Sequence, residues 1–169
     1  MAESLHERAR GIRLLVLDVD GVLTDGRLYI GASGEELKVF HVRDGAGLVA
    51  IQRAGVMVAI ISGRSSPAVE RRAAELGIRL VRQGAGDEAQ ELEALVARVG
   101  AAREEIACVG DDTPDLPMLR RVGLAIAVAD AHPQVLEAAD WVTTARGGCG
   151  AVREICDLLL HARQARPSA

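Results

Sequence analysis

The sequence predicts an α/β fold, a parallel sheet covered by helices on both faces. Three observations lead there. Short, almost wholly aliphatic runs alternate along the chain with amphipathic stretches. Those runs are apolar throughout instead of alternating, as strands buried on both faces of a parallel sheet are. Polar residues gather just after three of them, at the carboxyl strand ends where such sheets bind ligands.

Taken in order, IRLLVLD (12–18) is the first strand. GRLYIGASGEELKVFHV (26–42) interrupts the rhythm with two short runs joined by Gly-Ala-Ser-Gly, the pattern of a β-hairpin. A helix at 45–54 leads to the strand VMVAIIS (56–62), and a helix at 67–76 opens on Pro67, which suits a first helical position. The remaining strands are IRLV (78–81), IACVGD (106–111), GLAIAV (123–128) and WVT (141–143). Helices at 87–99, 114–121, 132–139 and 149–164 separate or follow them. At 169 residues the chain reads as one domain, 1–169, with a core from about 12 to 160 and terminal residues expected to fray.

Aromatic residues make up only 2%, so the core is built from Leu, Val, Ile and Ala. A net charge of −4 argues against nucleic acid or an anionic membrane as partner. No apolar run is long enough to span a bilayer, and MAESLHERARGIR lacks the apolar centre of a signal peptide. Three cysteines (Cys108, Cys149, Cys156) without a CxxC pair read as reduced thiols, so a cytoplasmic location is expected.

The chemistry-bearing residues lie at three strand ends. Asp18 closes the first strand and Asp20 follows one residue later, with Gly21 letting the chain turn away. A carboxylate at a strand end can act as a nucleophile, and a second across a tight turn can protonate a leaving oxygen and then activate water. Asp111 or Asp112 would join Asp18 around a hard divalent cation, for which magnesium suits, while Asp115 adds to the acidic cluster. A calcium loop is excluded: in DVDGVLTDGRLY the glycine falls at position 4, and Tyr29 stands where a bidentate glutamate is needed. Ser62 and Gly63, followed by a helix start, form a phosphate cradle, with Ser65 or Ser66 expected to cap the helix. Gly45-Ala46-Gly47-Leu48-Val49-Ala50 mimics a dinucleotide fingerprint, but no acidic residue ends the next strand, so it reads as a glycine-rich helix start. Of the four histidines only His41 is placed to face the site.

Together DVDGVLTDG, the Ser62-Gly63 pair and GDDTPD (110–115) resemble the three acidic and phosphate-binding motifs of the haloacid dehalogenase superfamily. GEELKVFHVRDGAG (34–47), SGRSSPAVERRAAELGI (62–78), VGDDTPDLP (109–117), AVADAHP (127–133) and GGCGAVREICDLLL (147–160) are similar, in order and spacing, to its 3-deoxy-D-manno-octulosonate 8-phosphate (KDO 8-phosphate) phosphatase family. The resemblance implies a Rossmann-like three-layer α/β/α domain without a separate cap, magnesium as cofactor, a small sugar phosphate as substrate and a homotetramer whose neighbouring subunit helps close each site. It further implies Asp18 as nucleophile and magnesium ligand, Asp20 as acid/base and backbone magnesium ligand, and Asp111 as the third ligand. Asp112 and Asp115 would support them, Ser62 and Gly63 would hold phosphate, and His41, Val42, Arg43, Asp44, Gly45, Arg64 and Arg72 would contact the sugar together with Asp20. Arginines suit a substrate bearing both carboxylate and phosphate.

Two departures remove positive charge from that expected site. Glu88 stands where the superfamily has a lysine, and Cys149 where the family has Lys or Arg. Like charges packed together are costly, so Glu88 is expected to turn away or to pair with Arg82 or Arg64. Beside the phosphatase reading, two alternatives remain: a catalytically weakened or silent homologue serving as a binding or assembly module, and a phosphatase with a changed sugar-phosphate substrate.

Overall fold

The computed structural model describes residues 4–164, and each aliphatic run forms a strand within it. β1 (Leu14–Leu17) precedes the hairpin strands β2 (Tyr29–Ile30) and β3 (Glu36–Leu37). β4 (Met57–Ser62), β5 (Leu80–Gln83), β6 (Ile106–Gly110), β7 (Leu124–Ala127) and β8 (Trp141–Val142) follow. Six of these pair in parallel as one sheet in the order β5-β4-β1-β6-β7-β8. All four residues of β1 are fully buried, as the most central strand requires.

The helices are α1 (Leu5–Gly11), α2 (Val42–Arg53), α3 (Pro67–Glu75), α4 (Glu88–Val99), α5 (Leu116–Leu119), α6 (Pro133–Ala138) and α7 (Ala151–Gln164). α1, α2 and α7 pack together, while α5 packs with α4 and α6, giving the helical layers of an α/β/α sandwich. Gly45 and Gly47 serve that packing. A Cβ on Gly47 would stand 3.0 Å from the Cys156 Cβ on α7, and one on Gly45 would stand 2.2 Å from the Arg72 guanidinium on α3. The pseudo-fingerprint is thus a device for close helix approach.

The structure differs from the sequence reading at four points. The chain before Ile12, expected to fray, forms α1, capped reciprocally by Ser4 and Glu7 and anchored by the fully buried Ala9. The terminal residues 1–3 and 165–169, also expected to fray, lie outside the described residues. The helix expected at 114–121 is a 3₁₀ turn (Thr113–Asp115) and the single turn α5, because the Asp115 carboxylate takes the Asp111 and Asp112 N–H groups. Ser66 is the N-cap of α3, yet its side chain makes no cap bond; its backbone N–H donates instead to Gln83 Oε1 at 2.8 Å. Finally, α2 begins at Val42, three residues early, with His41 as its N-cap, so the helix takes over the end of the expected hairpin run.

Candidate active site

Register decides what meets at the rim. Leu17 lies level with Ile60 of β4 and Val109 of β6, so the three central strands end together. Just beyond, Asp18, Asp20, Ser62, Gly63, Arg64, Glu88, Asp111, Asp112 and Asp115 line one open cleft of about 370 Å³. Asp18 continues the ladder, its N–H donating to Val109 O at 3.3 Å, and the residue is 8% exposed at the bottom of the cleft. The chain turns at Gly21 with φ +91°, and a Cβ there would lie 2.0 Å from Asp111 Oδ2. Only glycine lets the acidic loop and Asp111 approach so closely.

A second glycine pair fixes the same loop. Gly147 packs so tightly that a Cβ on it would meet Gly21 O at 1.6 Å, and Gly148 N–H donates to Val22 O at 2.9 Å. The backbone bearing Asp18 and Asp20 is therefore clamped by the 147–150 loop, whose Cys149 is exposed.

Among the described residues, Asp18, Glu88 and Asp115 each place a carboxylate oxygen within 4.8 Å of the other two. Asp111 lines the same cleft but leans on Gly21 and is not one of that trio. Asp115 is 3% exposed and spends one oxygen on two backbone N–H groups, so it holds the 110–115 loop in shape. Asp112 accepts from Thr113 N at 2.7 Å and is exposed.

Glu88 overturns the expectation for it. It neither turns away nor pairs with an arginine: it points into the cleft beside Gly63, where its Oε1 would stand 3.3 Å from a Cβ, and its Oε2 is buried without a hydrogen-bond partner. Arg82 pairs with Glu91 at 3.5 Å, and Arg64 with Glu36 at 2.6 Å and Asp20 at 3.5 Å. Burial, with the Asp115 charge second, pushes Glu88 up to about 7, and burial with Asp115, Asp112, Asp130 and Asp20 does the same to Asp111. Burial and the charges of Asp115, Glu88 and Asp111 likewise raise Asp18.

A site of oxygen donors only, whose carboxyls repel one another and leave a buried oxygen orphaned, fits a hard divalent cation such as magnesium. The repulsion has a measurable sign. A carboxyl whose folded pKa is raised holds its proton more tightly in the folded than in the unfolded chain. In the metal-free protein the contribution of Glu88 and Asp111 to stability is therefore full below their ordinary values of 4.5 and 3.8, and is lost as the pH rises through about 7. Its melting temperature should fall between pH of about 5 and 8, and magnesium should reverse the fall. A melting point indifferent to both would contradict the charge packing described.

Of the remaining sequence-predicted residues, all but Ser62 are placed apart from the acidic cleft. His41, Asp44, Gly45 and Arg72 line a narrow neighbouring crevice, with room for about one water, together with Leu23, Phe40 and Leu48. Asp44 is 2% exposed and accepts from Arg153 N at 2.8 Å, securing the start of α7; burial raises its carboxyl. Val42 and Arg43 face outward. Ser62 is buried, its Oγ accepting from Arg64 N at 3.4 Å. Sequence reasoning missed Lys38, which the hairpin carries to the edge of the site, where its ammonium donates to Asp20 Oδ1.

A family profile described as haloacid dehalogenase-like hydrolase matches residues 84–154. The chain is 51% identical over 156 residues to the 3-deoxy-D-manno-octulosonate 8-phosphate phosphatase of Escherichia coli K12, covering 92% of this chain and 83% of that one. The crystal structure of the Yersinia pestis phosphatase of that name superposes with a TM-score of 0.94 at 47% identity, covering 96% of this chain and 88% of the other. The Moraxella catarrhalis phosphatase, solved with magnesium, phosphate and KDO, gives a TM-score of 0.91 at 43% identity, covering 94% and 91%.

Proposed function

The chain belongs to the 3-deoxy-D-manno-octulosonate 8-phosphate phosphatase family of haloacid dehalogenase-like hydrolases, and from that premise we propose that it hydrolyses KDO 8-phosphate to KDO and phosphate with magnesium. The observation that carries this reading is the cleft itself, where three level strand ends gather Asp18, Asp20, Ser62 and Asp111. Asp18 attacks phosphorus, forming an aspartyl-phosphate as the phosphorus–sugar oxygen bond breaks, and Asp20 gives its proton to the departing oxygen. Asp20 then takes a proton from water, whose oxygen bonds to phosphorus as the bond to Asp18 breaks. Asp18, Asp111 and the Asp20 backbone carbonyl are the residues to hold magnesium, which when bound supplies positive charge against the carboxylates and the phosphoryl oxygens. Ser62 and the Gly63 N–H hold the phosphoryl group. Asp112 and Asp115 shape the loop that presents Asp111.

Arg64 and residues 41–45, with Arg72, receive the sugar acid, assisted by a second subunit of a cytoplasmic homotetramer. Support for that assembly is the apolar exposure of the hairpin: Leu28, Ile30, Leu37 and Val39 are 47%, 66%, 65% and 61% exposed. Light scattering should find a tetramer at micromolar concentration, and a monomer there would sink the subunit-closed site. No helix among the described residues is long and apolar enough to cross a membrane.

Phosphate release from KDO 8-phosphate, beside a panel of other sugar phosphates and with magnesium or chelator, tests the reaction. Preference for another sugar phosphate would move the substrate, and chelator-resistant release would remove the metal. One observation favours a second reading, a catalytically weakened homologue: Glu88 brings a carboxyl where a cation is expected. Two unit charges about 4 Å apart interact by roughly 4 kcal/mol at an effective dielectric near 20. Glu88→Lys should therefore raise turnover by about tenfold or more, a fraction of that energy. Unchanged turnover would show that the site manages without the cation.

A further inference from the structure

We propose that Lys38 is the positioning residue for Asp20, fixing the carboxyl that protonates the departing sugar oxygen and so tying the hairpin to the chemistry. The proposal rests on the phosphatase reading above. Its ground is geometric. Lys38 is the chain's only lysine, and although it lies on a hairpin whose apolar side chains face outward, its own side chain is 2% exposed. A buried ammonium is costly unless paired. Here it donates to Asp20 Oδ1 and stands 3.3 Å from Glu36 Oε1. Arg64 closes the group from the other side, with its Nε 3.5 Å from Asp20 Oδ2 and a terminal nitrogen 2.6 Å from Glu36 Oε2.

Two cations and two carboxylates thus alternate around a ring that links β3 to the loop after β1. The two oxygens of Asp20 are treated differently within it. Oδ1 is held by Lys38, whereas Oδ2 is buried and has no hydrogen-bond partner among the described residues. Oδ1 is anchored by a hydrogen bond, and Oδ2, with Arg64 Nε 3.5 Å away but no hydrogen bond of its own, is the oxygen left for proton transfer. A lysine stem packed under the hairpin sets the direction of the free oxygen, and general acid catalysis depends on that direction.

The test separates positioning of the acid from mere support of the hairpin by changing the leaving group. KDO 8-phosphate expels an alkoxide that needs a proton, whereas 2,4-dinitrophenyl phosphate expels a phenolate that needs none. The quantity read is kcat/KM, which covers only the steps up to cleavage of the ester bond. Lys38→Met should lower kcat/KM for KDO 8-phosphate about 30-fold or more, within the ~10²–10⁴ that acid catalysis supplies, and that for the aryl ester less than about threefold. Lys38→Gln, which keeps a donor but not the charge, should show the same selective loss, about tenfold, and decides the matter if Lys38→Met does not fold. Equal losses on both esters, or no loss on either, would overturn the role of Lys38 while leaving the phosphatase reading intact. A wild type inert toward both esters would overturn that reading and this role with it.

Discussion

Replacing Asp18 with asparagine is expected to reduce phosphate release to background while leaving the fold intact. The substitution keeps shape and removes the oxygen proposed as nucleophile from the bottom of the cleft, where no other carboxylate continues the central strand. A loss of at least about a thousandfold corresponds to roughly 4 kcal/mol of transition-state stabilisation. The same change removes a buried acid that Asp115, Glu88 and Asp111 all repel, so the metal-free variant should melt no lower than wild type near neutral pH. Substantial residual turnover would mean that water attacks directly and Asp18 only binds metal. A collapse in melting temperature would mean that its role is structural.

The second large effect is expected far along the sequence from Asp18 and Asp20. Gly147→Ala places a Cβ 1.6 Å from Gly21 O and 2.6 Å from the Gly21 carbonyl carbon, both backbone atoms that no side-chain rotation can clear. Either the 147–150 loop or the acidic loop must move. Overpacking of this kind costs about 1–3 kcal/mol, occasionally more. For a domain of this size that lowers the melting temperature by several degrees, roughly 2–4 °C per kcal/mol. Activity should suffer more than stability, since a displacement of about 1 Å at reacting groups is worth ~10²-fold. Gly11→Ala, where a Cβ would meet nothing within 4 Å, is the control and should be silent. Full activity in Gly147→Ala would show that the clamp on Gly21 does not set the catalytic geometry.

The sheet and the acidic rim were legible in the sequence because the physics that forms them is local. An unbroken apolar run such as VMVAIIS has no stable place but a buried strand, and Ser62 and Gly63 at its end follow from where it stops. α1 was less visible because its amphipathic signal is slight, yet Ser4 and Glu7 have the capping-box spacing and were the available cue. Lys38 was not legible. It lies eighteen residues from Asp20, and only the path of the hairpin brings the ammonium to the carboxylate. Glu88 departs from the sequence expectation for a physical reason: ionised carboxylates repel, but a buried carboxyl has its pKa raised and repels less. The structure lets Asp87 cap α4 through the Gln90 N–H, which aims the first helical side chain into the cleft, and burial keeps a proton available to soften the charge. Gly147 and Gly148 showed as a motif, but their purpose is contact with a backbone more than a hundred residues earlier, which no spacing reveals.

The central claim is that Asp18 carries the phosphoryl group. Acid-quenched samples taken during turnover of KDO 8-phosphate with magnesium, digested and read by mass spectrometry, test it most directly. A phosphorylated peptide spanning Leu14–Gly26 with the modification on Asp18 is expected, absent when magnesium is chelated and absent in Asp18→Asn. Phosphate found on another residue, or steady turnover in which Asp18 is never phosphorylated under conditions that preserve acyl phosphates, would contradict it.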